Sequence, residues 1–274
     1  MEEYGSISVI MPNLNNAKFI DKAIRSVLFQ TYKPTELIVV DGGSQDESVE
    51  IIESFIRNGE NLKFFETDEK GAGAARNLGI RNSQCDFVAF IDSDDIWLPT
   101  KLEKQVKAYH LISKPCVIYH DWIRIDENGR TLPPGKLKRP RKSGYVFDEF
   151  LQAAFGAVNM FLVPRRFIDD NHLFDPSLPW AEDLDFALKL ASDYSFFYLD
   201  DNLYCYRSHS NAKRYTISRI QKLRCEAAII ERHYKKEKRI LNPESRSHVE
   251  HLLASYFLKT HQYAKLFQLW FRSI

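Results

Sequence analysis

The sequence is poor in cysteine: Cys85, Cys116, Cys205 and Cys225 are widely spaced and form no CxxC pair. This speaks against a zinc site and points to reduced thiols in a cytoplasmic setting. No apolar run approaches the roughly 20 residues of a membrane-spanning helix. The start, Met1-Glu2-Glu3-Tyr4-Gly5-Ser6, is acidic and polar, so no secretory leader is expected. Net charge is also lacking: 38 Lys+Arg against 37 Asp+Glu leave +1. No global field recruits nucleic acid or a membrane surface. GxxxxGK[ST] is absent, which speaks against a P-loop. Gly71, Gly73 and Gly79 do not fit GxGxxG, and they follow the third expected strand rather than the first, so a dinucleotide fold is rejected. No internal repeat is visible.

What is present is an ordinary globular composition, 44% hydrophobic and 27% charged. The most informative stretch is Phe87-Val88-Ala89-Phe90-Ile91-Asp92-Ser93-Asp94-Asp95-Ile96-Trp97. Five apolar residues without alternation read as a strand buried on both faces. The three carboxylates that follow sit where the strand leaves the core, and ligands of open α/β sheets bind just beyond the carboxyl ends of strands. Carboxylates this close repel unless water, a cation or a basic group answers them. A hard divalent cation holding phosphates is one reading; an acidic loop capping the next helix is the other.

Strands are expected over residues 6–11 (ended by Pro12), 35–40, 62–66 and 87–91, with helices after Asn16, over 48–56 and over 99–111, and residues 70–77 read as a loop entering a small-residue helix. This β-α-β-α-β-α-β order predicts an α/β protein with a doubly wound, mostly parallel sheet. Residues 116–125 read as one strand or two, and 158–163 as another. A helix is expected after Ala181-Glu182-Asp183, then strands over 196–199 and 203–206. Acids in a first helical turn often only complement the helix dipole. Residues 133–142 are basic and proline-rich: a solvated loop, or a flap over an anionic substrate. From about Ile217 the chain becomes a basic amphipathic helix, punctuated by Pro243, with a second helical stretch over 252–269. These helices either cap the preceding domain or make a peripheral contact with anionic membrane.

Several motifs follow one another in a specific order: residues 7–12 with Asn15-Asn16, Ser26-Val27-Leu28-Phe29-Gln30-Thr31-Tyr32, Leu37-Ile38-Val39-Val40-Asp41-Gly42-Gly43-Ser44, Gly73-Ala74-Ala75-Arg76-Asn77-Leu78-Gly79, Phe90-Ile91-Asp92-Ser93-Asp94-Asp95 and Glu182-Asp183. In this order the chain resembles glycosyltransferase family 2 with the GT-A fold, over roughly residues 6–210. The resemblance implies a GT-A domain over residues 1–215, with a nucleotide-sugar-binding half to 98 and an acceptor-binding half after it, and a C-terminal helical extension over 216–274. It implies that Pro12, Asn13, Leu14 and Asp41 border the nucleobase and ribose of a nucleotide-sugar donor, and that Lys70 and Arg76 lie near the base or diphosphate. Asp92 and Asp94 match the family's DxD element. Asp92 meets the ribose or donor sugar, with Ser93 beside it, and Asp94 ligates Mn²⁺ or Mg²⁺. Asp183 matches the general base, kept ionised by the helix dipole. His209, in the Arg207-Ser208-His209 loop, is either a further metal ligand or a structural residue. Trp180 either stacks on an acceptor sugar or simply packs.

The familiar Thr-Tyr after the first-strand proline is Asn13-Leu14 here, and the commoner Asp-Asp-Gly-Ser is Asp41-Gly42-Gly43-Ser44. The QxxRW element of processive synthases is absent, so polymer extrusion is not expected. The implied activity is inverting transfer from a nucleotide-diphosphate sugar, with UDP expected, to a glycan or lipid-linked acceptor. Surface polysaccharide synthesis is the expected role, in the cytoplasm or at the inner face of the membrane. A nucleotidyltransferase would carry a glycine- and lysine-rich loop after the first strand, where Pro12-Asn13-Leu14-Asn15 stands. A non-catalytic nucleotide-sugar-binding scaffold is the remaining alternative.

Overall fold

The computed structural model describes residues 4–133, 141–209, 217–237 and 241–271. In chain order the elements are β1 (Ile7–Asn13), α1 (Ala17–Leu28), β2 (Glu36–Asp41), α2 (Ser48–Arg57), β3 (Leu62–Glu66), α3 (Ala72–Asn82), β4 (Phe87–Phe90), β5 (Ile96–Trp97), α4 (Lys101–Leu111) and β6 (Val117–Ile125). They continue with α5 (Phe147–Ala153), β7 (Leu162–Pro164), α6 (Glu182–Asp193), β8 (Phe196–Arg207), α7 (Arg219–Glu237), α8 (Pro243–Lys259) and α9 (Tyr263–Phe271). The strands form one sheet in the order β3-β2-β1-β4-β7-β6-β8-β5. Neighbours from β3 to β4 are parallel. β7 runs antiparallel to both β4 and β6, and so joins the parallel half to the parallel pair β6 and β8.

Burial explains the sequence pattern. Every residue of β1, β2 and β4 is buried, as unalternated apolar runs require. α1 lays Phe19, Ile20, Ala23, Ile24 and Val27 into the core along one face. The small residues of α3 allow close approach to the sheet: a Cβ on Gly79 would sit 2.5 Å from Cγ2 of Ile10.

Several elements depart from expectation. β1 does not stop at Pro12 but continues to Asn13 along β2. Its pairing with β4 ends at Ile10, so the proline lacks a ladder donor only beside an open edge. β5 was not foreseen; at two residues it is too short for any periodicity. Residues 158–160 form a 3-10 turn rather than strand, with the Met160 carbonyl taken by Nε2 of Gln105 at 3.0 Å. The two strands expected over 196–206 are a single β8, which keeps its pairing through a register irregularity around Asp121. α5 was also missed: seven residues carry only Phe147, Phe150 and Leu151 on the buried side. The last helical stretch is two helices, broken at His261, whose φ is 58°. Most of the basic 133–142 loop lies outside the described residues; of its described end, Arg141 pairs with Asp121 at 2.5 Å and Lys142 with Glu149.

The C-terminal helices share the core of the sheet. Ala227, Ile229, Ile230 and Tyr234 of α7 and Val249, Leu253 and Phe257 of α8 belong to the same buried cluster as β1 and β4. Among the described residues no helix is long and apolar enough to cross a membrane.

Gly79→Ala is expected to destabilise the protein by about 1–3 kcal/mol, because Ile10 is fully buried and β-branched and has no room to move. Urea denaturation measures this; an unchanged midpoint would mean that α3 can back away from the sheet.

Candidate functional site

The acid loop continues β4. Ile91 still donates its N–H to Ile10 O at 3.1 Å, and the turn then closes with Asp95 N–H on Asp92 O at 3.1 Å. This places ligand oxygens of Asp92, Asp94 and Asp95 within 4.8 Å of one another. The protein answers most of that charge itself. Asp92 accepts from Nη2 of Arg76 at 2.7 Å and from Nδ2 of Asn159 at 2.8 Å. Asp95 accepts the Arg207 backbone N–H at 2.6 Å and the Tyr204 hydroxyl. Nε2 of His209 lies 2.8 Å from Oδ2 of Asp94. Asp95 is buried, and burial together with Asp94 and Asp92 pushes its carboxyl well above the ordinary carboxylate range. The hydroxyl of Tyr204 is pushed up by burial and by the same acids. Arg207 braces the loop further, with Nε on Asp94 O at 2.6 Å and its guanidinium 5.0 Å from the Phe19 ring.

Asp94 is therefore different from its neighbours. Its Oδ1 has no hydrogen-bond partner among the described residues, and its side chain is 21% exposed. An oxygen-rich cluster with one free carboxylate oxygen suits a hard cation such as Mg²⁺ or Mn²⁺. The residues present fit such an ion, with His209 on the other oxygen of the same carboxylate. Asp95, engaged on both oxygens, is a brace for the loop.

The second acid group arrives on α6. Glu182 and Asp183 form its first turn, preceded by Ala181 in the left-handed region at φ 61°. Arg76 links the two groups. It is 3% exposed and donates from Nη1 to Oε1 of Glu182 at 3.0 Å and from Nη2 to Asp92. Asp92 and Glu182 hold its pKa above the ordinary arginine value despite burial. Asp183 is not kept low by the helix dipole: burial, then the adjacent Glu182 charge, push it up to about 7, although Arg76 and the Leu184 N–H act the other way. Behind it, a Cβ on Gly156 would lie 2.3 Å from the Leu184 nitrogen. Gly156 is thus the spacer against which the first turn of α6 rests.

The end of β1 and the loop after β2 form a third group. Asp41 is fully buried. It accepts the Gly43 and Ser44 N–H groups at 2.9 and 2.7 Å and Nδ2 of Asn13 at 2.6 Å. Oδ1 of Asn13 is buried without a partner among the described residues. Pro12 is buried, Leu14 is 54% exposed, and Ser93 accepts Nδ2 of Asn16 at 2.8 Å. Lys70 is exposed just before α3.

Asp92, Asp94, His209 and Arg76 thus come together, with Asp183 beside Arg76, whereas Lys70 stays outside this network. Sequence reasoning passed over Asn159, Tyr204, Asp95 and Glu182 as working parts. Glu182 and Asp95 lay inside the quoted motifs. Nothing in the sequence marks Asn159 or Tyr204, which reach the acids only through the sheet order.

The model of glycosyltransferase family 2 matches residues 8–171. The chain belongs to glycosyltransferase family 2. An uncharacterized glycosyltransferase of Rickettsia conorii, RC0461, is 31% identical over 188 residues, covering 67% of this chain and 31% of the relative. The chain spans about a third of the length of the curated relatives it first matches. Among solved structures, residues 1–349 of TarS from S. aureus in complex with UDP superpose with a TM-score of 0.65 at 22% identity, over 92% of this chain and 70% of that one. The mannosyltransferase PcManGT from Pyrobaculum calidifontis, in complex with GDP-Man and Mn²⁺, gives 0.64 at 19% identity, over 96% and 74%. These likenesses show the fold, GT-A.

Two outcomes follow for this site. A charged Asp183 is a cost to the folded state, so stability is fullest below the ordinary carboxylate range and falls as pH rises through about 7. Asp183→Asn should remove that fall: its urea midpoint should exceed the unmodified protein's at pH 8, and the gap should close toward pH 4. Gly156→Ala should push α6 away and lower the melting temperature; an unchanged melting curve would show that the first turn of α6 is not held there.

Proposed function

We propose that this chain is an inverting glycosyltransferase of hexosyltransferase type. It takes a sugar from a nucleotide-diphosphate donor, with UDP as the expected nucleotide, and places it on a hydroxyl of a glycan or lipid-linked acceptor. The supporting observation is the pairing of two acid groups on one buried guanidinium, Arg76, between Asp92 and Glu182. In a family 2 member, this supports reading Asp94, beside Asp92, as the cation's carboxylate and Asp183, beside Glu182, as the proton acceptor.

On this reading the donor's base and ribose lie along Pro12, Asn13, Leu14 and Asp41. The Asp41 carboxylate is spent on the Gly43 and Ser44 N–H groups, so it shapes the loop. Asp92 and Ser93 face the ribose and the transferred sugar. Lys70, exposed, is the cation available to the diphosphate or base. Arg76 is committed to Asp92 and Glu182, and its role is to bridge them at fixed distance. Asp94, with His209, is the proposed holder of Mn²⁺ or Mg²⁺, which when bound neutralises charge on the departing diphosphate. Asp183 takes the proton from the acceptor hydroxyl. Its Oδ1 accepts the Leu184 N–H at 2.8 Å, which fixes the carboxylate and leaves Oδ2 for the acceptor. A base near pKa 7 is well matched to neutral operation. With Asp183 as base the proposed step is a single displacement, and the resemblance to the family implies inversion. The proposed setting is the cytoplasm, with surface polysaccharide synthesis as the role; all four cysteines are free thiols. Peripheral membrane contact through the C-terminal helices belongs to the same proposal.

Asp183→Asn should retain metal-dependent donor binding and lose transfer by about 10²–10⁴-fold; near-normal transfer would remove Asp183 from the role. Transfer by the unmodified protein should rise with pH to a plateau above about 7, and a rate flat from pH 5 to 9 would contradict this. Asp94→Ala should weaken nucleotide binding in Mn²⁺ but not in chelator; equal loss in both would show that Asp94 is not the metal ligand.

A further inference from the structure

The segment that carries Asp183 is held from the far side by the C-terminal extension. Trp180, half-buried, donates its indole N–H to Oε1 of Glu226 on α7 at 3.2 Å. The other oxygen of Glu226 accepts the Tyr256 hydroxyl of α8 at 3.1 Å, so the carboxylate is fixed from both helices. Nζ of Lys222 stands 4.5 Å from the Trp180 ring centroid. Past the base, Asp185 is fully buried and lies 2.9 Å from Nε2 of His233. Arg232 reaches both Asp175, at 3.1 Å, and Asp185, at 3.4 Å. One helix therefore grips positions 175, 180 and 185, on both sides of Asp183. Ala181 carries the left-handed φ between these anchors, a conformation that persists in a non-glycine residue only where its surroundings impose it. The acid loop is held differently, by Arg76, Asn159, Tyr204 and Arg207.

We propose that α7 is a positioning element of the acceptor side: Glu226, acting through Trp180, sets the place of Asp183 and of the indole beside it, while the donor side stands without it. This rests on the reading of Asp183 as the base. It gives the C-terminal extension a part in transfer rather than in packing alone. Glu226 and Trp180 touch no reacting atom; they act through the backbone of the segment they hold.

The test uses the full chain. Asp183 is titrated by carboxyl-carbon NMR, with Asp183→Asn for assignment, and UDP binding in Mn²⁺ is measured calorimetrically. Glu226→Ala is expected to move the Asp183 midpoint by at least about half a unit, with UDP binding within about twofold of the unmodified protein. Glu226→Gln keeps an acceptor for the indole and should restore the midpoint. Trp180→Phe, which lacks only the N–H and part of the ring, should reproduce the Glu226→Ala shift, and the double variant should add nothing. An unmoved midpoint in Glu226→Ala overturns the proposal. So does a midpoint shift accompanied by loss of UDP binding, since that is general disruption of the fold. Failure of the function reading looks different: the unmodified chain would bind no nucleoside diphosphate in Mn²⁺ and release no UDP from UDP-glucose, whatever the titrations show.

Discussion

The Arg76 guanidinium is the interaction on which the rest of the site depends. It is almost wholly buried, and it joins the loop after β4 to the start of α6. Without it Asp92, Glu182 and Asp183 would face one another with no positive charge between them. Removing one partner of a buried ion pair costs far more than the pair contributes, because a charge is left unanswered. Lysine is no substitute, since one ammonium cannot serve two carboxylates in the fixed fork that Nη1 and Nη2 provide. The Phe174 ring, 5.3 Å from the guanidinium carbon, closes one face of that fork.

From this link the division of labour among the acids follows. Asp92 is engaged by Arg76 and Asn159, Asp95 by Tyr204 and Arg207, and of the three only Asp94 keeps an oxygen without a partner among the described residues. The loop is thus cross-braced by the chain's own side chains, and such preorganisation is what stabilisation of developing charge requires. Part of the bracing, from Tyr204 and Arg207, comes from β8, more than a hundred residues away in sequence, and both of these polar residues are buried. Asp183 is the complementary case: the folded state holds a carboxylate where its charge is unfavourable, and the resulting higher basicity is what the proposed chemistry uses.

Much of this was legible in the sequence, for identifiable reasons. The buried strands announced themselves because runs such as Leu37-Ile38-Val39-Val40 lack alternation, and α1 because its apolar residues keep helical spacing. The acids after β4 and at α6 were legible as motifs in order. What escaped were short elements and long-range partners. β5 and α5 are too brief to show a period. Residues 158–160 turn rather than extend, closed by Met160 N–H on Ala157 O and Phe161 N–H on Val158 O, which no local sequence mark announces. Asn159 and Tyr204 carry no local mark at all; they matter because β7 and β8 bring them to the acids. The helix dipole does not decide the state of Asp183, because burial, which one dimension does not show, and the charge of the adjacent Glu182 outweigh it.

The central claim is that the free oxygen of Asp94, inside a prebuilt cluster of acids, holds a cation that in turn holds a nucleoside diphosphate. Calorimetric titration of the purified chain with UDP, GDP, dTDP and CDP, each in Mn²⁺ and in chelator, tests it most directly. The account predicts saturable binding of one diphosphate, with UDP preferred, that weakens at least about tenfold when the metal is removed. Binding equally tight in chelator, or none to any of the four by a protein shown to be folded, would contradict it.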